Sequence, residues 1–176
     1  MTNFIVVSFF TAEYCDEAPR LIKSLDKFSI PHDIKLVASK GSWIANVNYK
    51  SEFCRNKLIE HNMPIVWLDC DAEVIKYPVL FEQLHDYDIG CFYRERRGRP
   101  HELLSGTLYF NTTPGSIMVL NRWVSMCKYN PTLWDQKSLD KVIDRCKTSI
   151  NIFEFPSSYV RIFDAEDMRD IDSVIV

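Results

Sequence analysis

The stretch Phe4-Ile-Val-Val-Ser-Phe-Phe10 is almost wholly apolar, and it constrains the fold more than any other segment. It does not alternate apolar with polar residues, so it reads as a strand buried on both faces. Ala18, Leu21, Ile22, Leu25 and Phe28 then recur at helical spacing, predicting an amphipathic helix that Pro31 ends. Ile34–Ala38 reads as a second strand, and Gly41-Ser42 breaks the chain. Ile44, Val47, Ser51, Cys54 and Leu58 step by three and four, marking a second helix before a third strand at Pro64–Leu68. Downstream, a short helix is expected at Val79–Leu84, strands at Ile89–Tyr93 and Thr107–Asn111, and a helix at Pro114–Cys127. Asp135 is expected to cap a further helix carrying Leu139, Val142, Ile143 and Cys146. Late strands are expected at Ile150–Phe155 and Val160–Phe163. Strands alternating with helices imply an α/β layer structure with a mostly parallel sheet.

At 176 residues the chain suits one domain spanning 1–176. Lys and Arg number 21 against 24 Asp and Glu, a net charge of -3, which argues against a general nucleic-acid binder. No apolar run reaches the ~18–20 residues of a membrane span. Met1-Thr2-Asn3-Phe4 lacks the basic start of a secretion signal, so a cytoplasmic location is expected. The six cysteines show no C-x-x-C spacing and mostly lie among apolar residues, which disfavours structural zinc and suggests reduced core thiols.

The chemistry concentrates at Trp67-Leu68-Asp69-Cys70-Asp71. In open α/β sheets ligands sit beyond the carboxyl ends of the strands, and here an apolar strand runs into two carboxylates at that place. In an extended segment Asp69 and Asp71 point the same way and both can face one cation. Hard divalent ions such as Mg2+ and Mn2+ favour one or two carboxylates completed by substrate phosphates and water. A solvated turn after a strand is the plainer reading of the same residues.

Several segments together resemble the GT-A nucleotide-diphospho-sugar transferases. Pro64-Ile-Val-Trp-Leu-Asp-Cys-Asp-Ala-Glu-Val74, followed by Tyr77-Pro78, resembles the Asp-x-Asp strand of that group. Leu103-Leu-Ser-Gly-Thr-Leu-Tyr-Phe-Asn-Thr-Thr113 is similar to its donor-sugar strand, and Trp134-Asp135-Gln136 to its Asp-Gln helix start. Phe155-Pro156 with Tyr159 is similar to a late Leu-Pro-x-x-Tyr element. The resemblance spans about residues 4 to 163 and implies a GT-A-like three-layer α/β/α sandwich. It implies a metal-dependent glycosyltransferase moving a sugar from a UDP- or GDP-sugar to a hydroxyl of a glycan, glycoprotein or glycolipid. Asp69 and Asp71 would bind Mn2+ or Mg2+ on the donor diphosphate. Thr11 and Ala12 would cradle the nucleoside, with Lys50 and Cys70 at further donor-binding positions. Ser105, Gly106 and Thr107 would approach the sugar, and Asp135 and Gln136 would be the catalytic pair at the sugar hydroxyls or acceptor.

Two departures stand out. The late His that serves many members as a third metal ligand is missing, since the last histidine is His101, so water and phosphate or an acidic residue such as Asp164 or Asp167 would complete the shell. The chain is also short for the fold, so its acceptor half is minimal or supplied by a partner or by further domains of a larger protein. The basic cluster Arg94-Glu-Arg-Arg-Gly-Arg99 reads as a solvated loop or one that closes over phosphate. Lys50 and Arg55 lie on the helix before the Asp-x-Asp strand, on a solvated face or within reach of a phosphate. Trp43, Trp67, Trp123 and Trp134 are core or pocket wall. An apolar strand ending in Asp-x-Asp also describes a haloacid-dehalogenase-like phosphatase, with Glu166, Asp167 and Asp170 as a weak acidic partner motif. A non-catalytic nucleotide-sugar-binding domain is the third reading.

Overall fold

The computed structural model describes residues 2–95, 101–162, 165, 168 and 171–176. Six strands form one sheet: β1 (Ile5–Phe10), β2 (His32–Leu36), β3 (Ile65–Leu68), β4 (Ile89–Arg94), β5 (Glu102–Phe110) and β6 (Ile152–Glu154). Four helices accompany them: α1 (Ala18–Lys27), α2 (Trp43–His61), α3 (Pro114–Tyr129) and α4 (Asp135–Cys146). The strand order is β2-β1-β3-β5-β4-β6. β1 runs parallel to β2 and β3, and β4 parallel to β6, while β5 is antiparallel to both of its neighbours. The sheet is therefore mostly parallel, with one reversed strand near its middle.

The period-2 geometry of the strands sorts the core into two layers. Ile5, Val7, Phe9, Ile65 and Trp67 pack with α2, α3 and α4 on one face. Phe4, Val6, Val66 and Leu68 pack with α1 and the segments around Phe81 and Tyr159 on the other. Both faces are covered, which is why β1 reads as an almost unbroken apolar run. Where β4 approaches Phe155 the chain needs glycine, because a Cβ on Gly90 would lie 2.6 Å from the Phe155 ring.

Local signals set the helix ends. The Ser42 hydroxyl accepts from the Ala45 N–H at 3.2 Å to start α2, and Asn62 closes it in a left-handed conformation. Thr113 caps α3 in the same way, with Pro114 in the first turn.

Several boundaries differ from the sequence expectation. α1 stops before Ser29, which adopts φ +54°, and not at Pro31. β2 starts two residues before Ile34, and β5 extends back to Glu102 through Ser105-Gly106, whose composition hides a strand. Val79–Gln83 is a 3-10 helix. Residues 160–162 form no strand; Phe163 lies outside the described residues. Instead, Val174 and Ile175 donate to the Ser158 carbonyl, and Val176 exchanges backbone hydrogen bonds with Glu73. The N-cap of α4 is Trp134, and Asp135 is its first helical residue, with its side chain engaged elsewhere.

Candidate active site

The site is built where β3 ends. Asp69 follows Leu68, and its N–H donates to the Gly106 carbonyl at 2.9 Å, adding one more rung between β3 and β5. The chain then bends, with the Ala72 N–H donating to the Asp69 carbonyl at 3.0 Å. Asp71 thus lies within a turn, not on an extended segment as the sequence suggested. The Arg20 guanidinium reaches the Asp71 carbonyl oxygen at 2.5 Å from α1.

Lys50 organises the centre. It is 5% exposed, and its Nζ lies 2.9 Å from Asp69 Oδ1 and 3.1 Å from Asp135 Oδ2. The Ser105 carbonyl and hydroxyl oxygens accept from the same ammonium at 3.2 and 3.3 Å. Burial alone would lower its pKa, but the charges of Asp135 and Asp69 outweigh that and hold it raised. Lys50 is thus a buried counter-ion and not a solvated side chain, and it also lines the first cleft. Arg55 stays near the surface, bonded to the neighbouring Asn56.

Each carboxylate has further anchors. The Trp67 indole N–H donates to Asp69 Oδ1 at 2.8 Å, as expected for residues two apart on one strand face. The Ser105 hydroxyl donates to Asp135 Oδ2 at 3.0 Å, and the Trp123 indole donates to the Asp135 carbonyl at 2.9 Å. The Gln136 amide accepts from Ser105 N–H and donates to Glu102, both at 3.4 Å. Gly106 leaves the Asp69 carboxylate room, since a Cβ there would sit 3.3 Å from Oδ2.

Two open clefts of about 220 and 240 Å³ meet at Asp69 and Asp71. Thr11, Tyr14, Trp43, Asn46, Lys50 and Cys70 help to line the first. Ser105, Gly106, Thr107, Gln136 and Val176 help to line the second. The Thr11 hydroxyl is buried and finds no protein partner among the described residues. Ala12 is exposed and opens on an adjoining groove with Leu36–Ser39. Thr107 is tied to the Tyr159 carbonyl at 3.0 Å. Burial and the neighbouring Asp71 and Asp69 charges push the Cys70 thiol up to about 12, so it remains protonated and is no thiolate ligand.

The donor chemistry fits a hard divalent cation. Asp71 is exposed at the bend, yet the protein crowding its carboxyl and the Asp69 charge raise its pKa. A bound cation would relieve that repulsion. Among the described residues no third His, Cys, Asp or Glu joins the pair at ligand spacing. Asp164, Asp167, Glu166 and Asp170 lie outside the described residues, as do positions 96–100 of the basic cluster. A separate cluster, Asp33, Glu60 and His61, has ligand spacing, but Lys57 Nζ already sits 2.6 and 2.7 Å from Asp33 and Glu60. It is an ion-pair network.

Sequence reasoning placed Trp43 in core or pocket wall, and it does line the first cleft, but it missed Tyr14 and Asn46 there and the role of Lys50 between two carboxylates. Tyr14 follows the Thr11 loop closely and was within reach of a loop argument. Nothing in the sequence couples Lys50 to Asp135.

No protein-family model and no curated protein matches the chain. Solved structures do. A glycosyltransferase involved in glycosylation of the major capsid of PBCV-1 matches with TM-score 0.77 at 14% identity, over 98% of this chain and 91% of that one. The glycosyltransferase GlyE of Streptococcus pneumoniae TIGR4 matches with TM-score 0.64 at 16% identity, over 91% of this chain and 47% of its own. The galactosyltransferase LgtC, solved with donor and acceptor sugar analogues, matches with TM-score 0.54 at 11% identity, over 88% and 74%. At such identity the likeness speaks to architecture, and with the reversed β5 and the two-sided helical cover it gives one conclusion: this chain has the GT-A-type glycosyltransferase fold.

Proposed function

We propose that this protein is a metal-dependent glycosyltransferase that moves a sugar from a nucleoside-diphosphate donor, a UDP- or GDP-sugar, to a hydroxyl of a glycan, glycoprotein or glycolipid. The observation that carries this reading is the position of Asp69. It stands at the carboxyl end of β3, clamped by Lys50 and Trp67, where two clefts meet.

Asp69 and Asp71 would hold Mn2+ or Mg2+, with diphosphate oxygens and water completing the shell. The ion, when bound, supplies Lewis-acid stabilisation of the departing nucleoside diphosphate, an effect of several kcal/mol. The chain's own residues do the rest. Thr11, with its unpaired hydroxyl, offers a hydrogen bond on the first cleft, which suits a nucleoside. Ser105, Gly106 and Gln136 line the second, which suits the sugar. Lys50 pairs with Asp135 and Asp69 at once and fixes their separation. The Asp135 carboxylate, engaged by Lys50 and Ser105, would position the centre. The likeness of the fold to glycosyltransferase structures favours this reading over the phosphatase one.

A thermal-shift screen of UDP, GDP and their sugars, with and without Mn2+, tests the reading. Stabilisation by one donor that depends on the metal is expected, by mass action. The Asp69→Ala/Asp71→Ala double variant is expected to lose that stabilisation and donor turnover. Unchanged turnover in the double variant would end the metal-site proposal, and metal-dependent binding without turnover would leave a nucleotide-sugar-binding domain.

A further inference from the structure

Trp43 and Trp134 meet edge to face, with ring centroids 6.1 Å apart and planes at 88°. They are 56% and 40% exposed, whereas Trp67 and Trp123 are buried. Large aromatic surface left open in a pair marks a place that something covers. Trp43 opens α2 and shares the cleft wall with Asn46 and Lys50. Trp134 immediately precedes Asp135 and caps α4. Close by in sequence, Asn48 donates to the Pro131 carbonyl at 3.4 Å, tying α2 to the segment before α4, and the Trp123 indole donates to the Asp135 carbonyl.

An aromatic wall bordered by hydrogen-bonding groups suits a molecule with an apolar face and a hydroxylated rim. A pyranose ring has that form: its axial C–H bonds make one face, and its hydroxyls point outward. Its C–H bonds pack on the negative face of the indole. Trp134 is one residue from Asp135, which shares Lys50 with Asp69. A ring lying on the pair is therefore held beside the charged centre. We propose that Trp43 and Trp134 form the stacking platform for the pyranose ring of the acceptor. This deepens the glycosyltransferase reading and rests on it.

The test is tryptophan fluorescence of the intact protein, without metal or nucleotide. The probes are methyl β-D-galactopyranoside, methyl α-D-glucopyranoside, lactose and maltose, titrated to about 100 mM, since an affinity near 1 mM corresponds to only ~4 kcal/mol. A saturable change with at least one probe is expected. Trp134→Phe keeps a ring and is expected to retain the response. Trp134→Leu keeps apolar bulk without a π face and is expected to weaken it at least tenfold. No saturable change with any probe, or equal responses from the Phe and Leu variants, would overturn the proposal. Loss of UDP binding in Trp43→Leu, with sugar binding kept, would assign the platform to a nucleobase and also overturn it. UDP binding by the wild-type protein with Mn2+ is measured separately, so the donor reading and the platform fail independently.

Discussion

Lys50 Nζ and Asp135 Oδ2 lie 3.1 Å apart in the interior, joining the middle of α2 to the first turn of α4. The same ammonium reaches Asp69, so one cation on α2 serves two carboxylates, one on α4 and one just past β3. Removing it strands Asp135, which is 4% exposed, as an uncompensated buried charge. Breaking a buried pair in this way costs about 3–5 kcal/mol, or on the order of 10 °C in melting temperature for a domain of this size. Lys50→Met is expected to show that loss in a thermal melt, and adding Asp135→Leu to recover more than half of it. A single variant that melts with the wild type would show that the triangle contributes nothing to stability.

Gly106 is expected to matter for binding more than for folding. A methyl group there meets Asp69 Oδ2 at 3.3 Å, so the carboxylate must shift by a few tenths of an ångström. Displacement of a ligand group by that amount weakens a metal site with strict geometry. Calorimetric titration of Gly106→Ala with Mn2+ and UDP is expected to show roughly tenfold weaker binding, with a melting temperature within about 2 °C of wild type. A large melting loss with intact affinity would show that the residue serves the sheet.

Gly90 gives the opposite pattern. Its added Cβ would meet the Phe155 ring at 2.6 Å, and that ring is 2% exposed and packed against Phe81, Phe153 and Tyr159. Overpacking of a filled core costs about 1–3 kcal/mol. Gly90→Ala is expected to lower the unfolding free energy read from urea melts by that amount, and Phe155→Leu in the same chain to restore part of it.

Asp33 supplies the acid-sensitive contact. It lies 2.8 Å from Lys35, 2.6 Å from Lys57 and 3.1 Å from His61. Partial burial opposes ionisation, but hydrogen bonds from these three partners win and lower its pKa to about 2, from a usual 3.8. A depressed carboxyl stabilises the fold above its unfolded pKa, and that contribution fades as pH falls from about 4 to about 2. Its size is roughly 1–2 kcal/mol after surface screening. Asp33→Asn is expected to melt below wild type at pH 7 and level with it near pH 2. A gap that stays constant across this range would show that the charge is not responsible.

Much of the architecture was legible because apolar periodicity carried it. β1 has no polar alternation and both its faces are covered. The α2 positions Cys54 and Leu58 do sit on the core side. The failures occurred where tertiary contacts override local chemistry. The expected strand begins at Thr107, yet β5 runs back through Ser105-Gly106 to Glu102, across a stretch where its register with β4 shifts. Asp135 has a good capping side chain, but a buried ammonium attracts it more strongly than the helix end does, and Trp134 takes the cap position. Lys50 looks like any polar residue on an exposed face; its burial depends on two acids distant in sequence, and no spacing rule brings them together.

The hydrogen bond from the Asp69 amide to the Gly106 carbonyl extends the β3–β5 ladder by one step beyond the strand. The acidic corner and the wall that would face the transferred sugar are thereby parts of one stiff plate, without a hinge between them. On the proposed function, a change of sugar or acceptor is best sought at the rims, through the helix starts at Trp43 and Trp134 or the turn at Asp71, where no strand ladder ties the backbone.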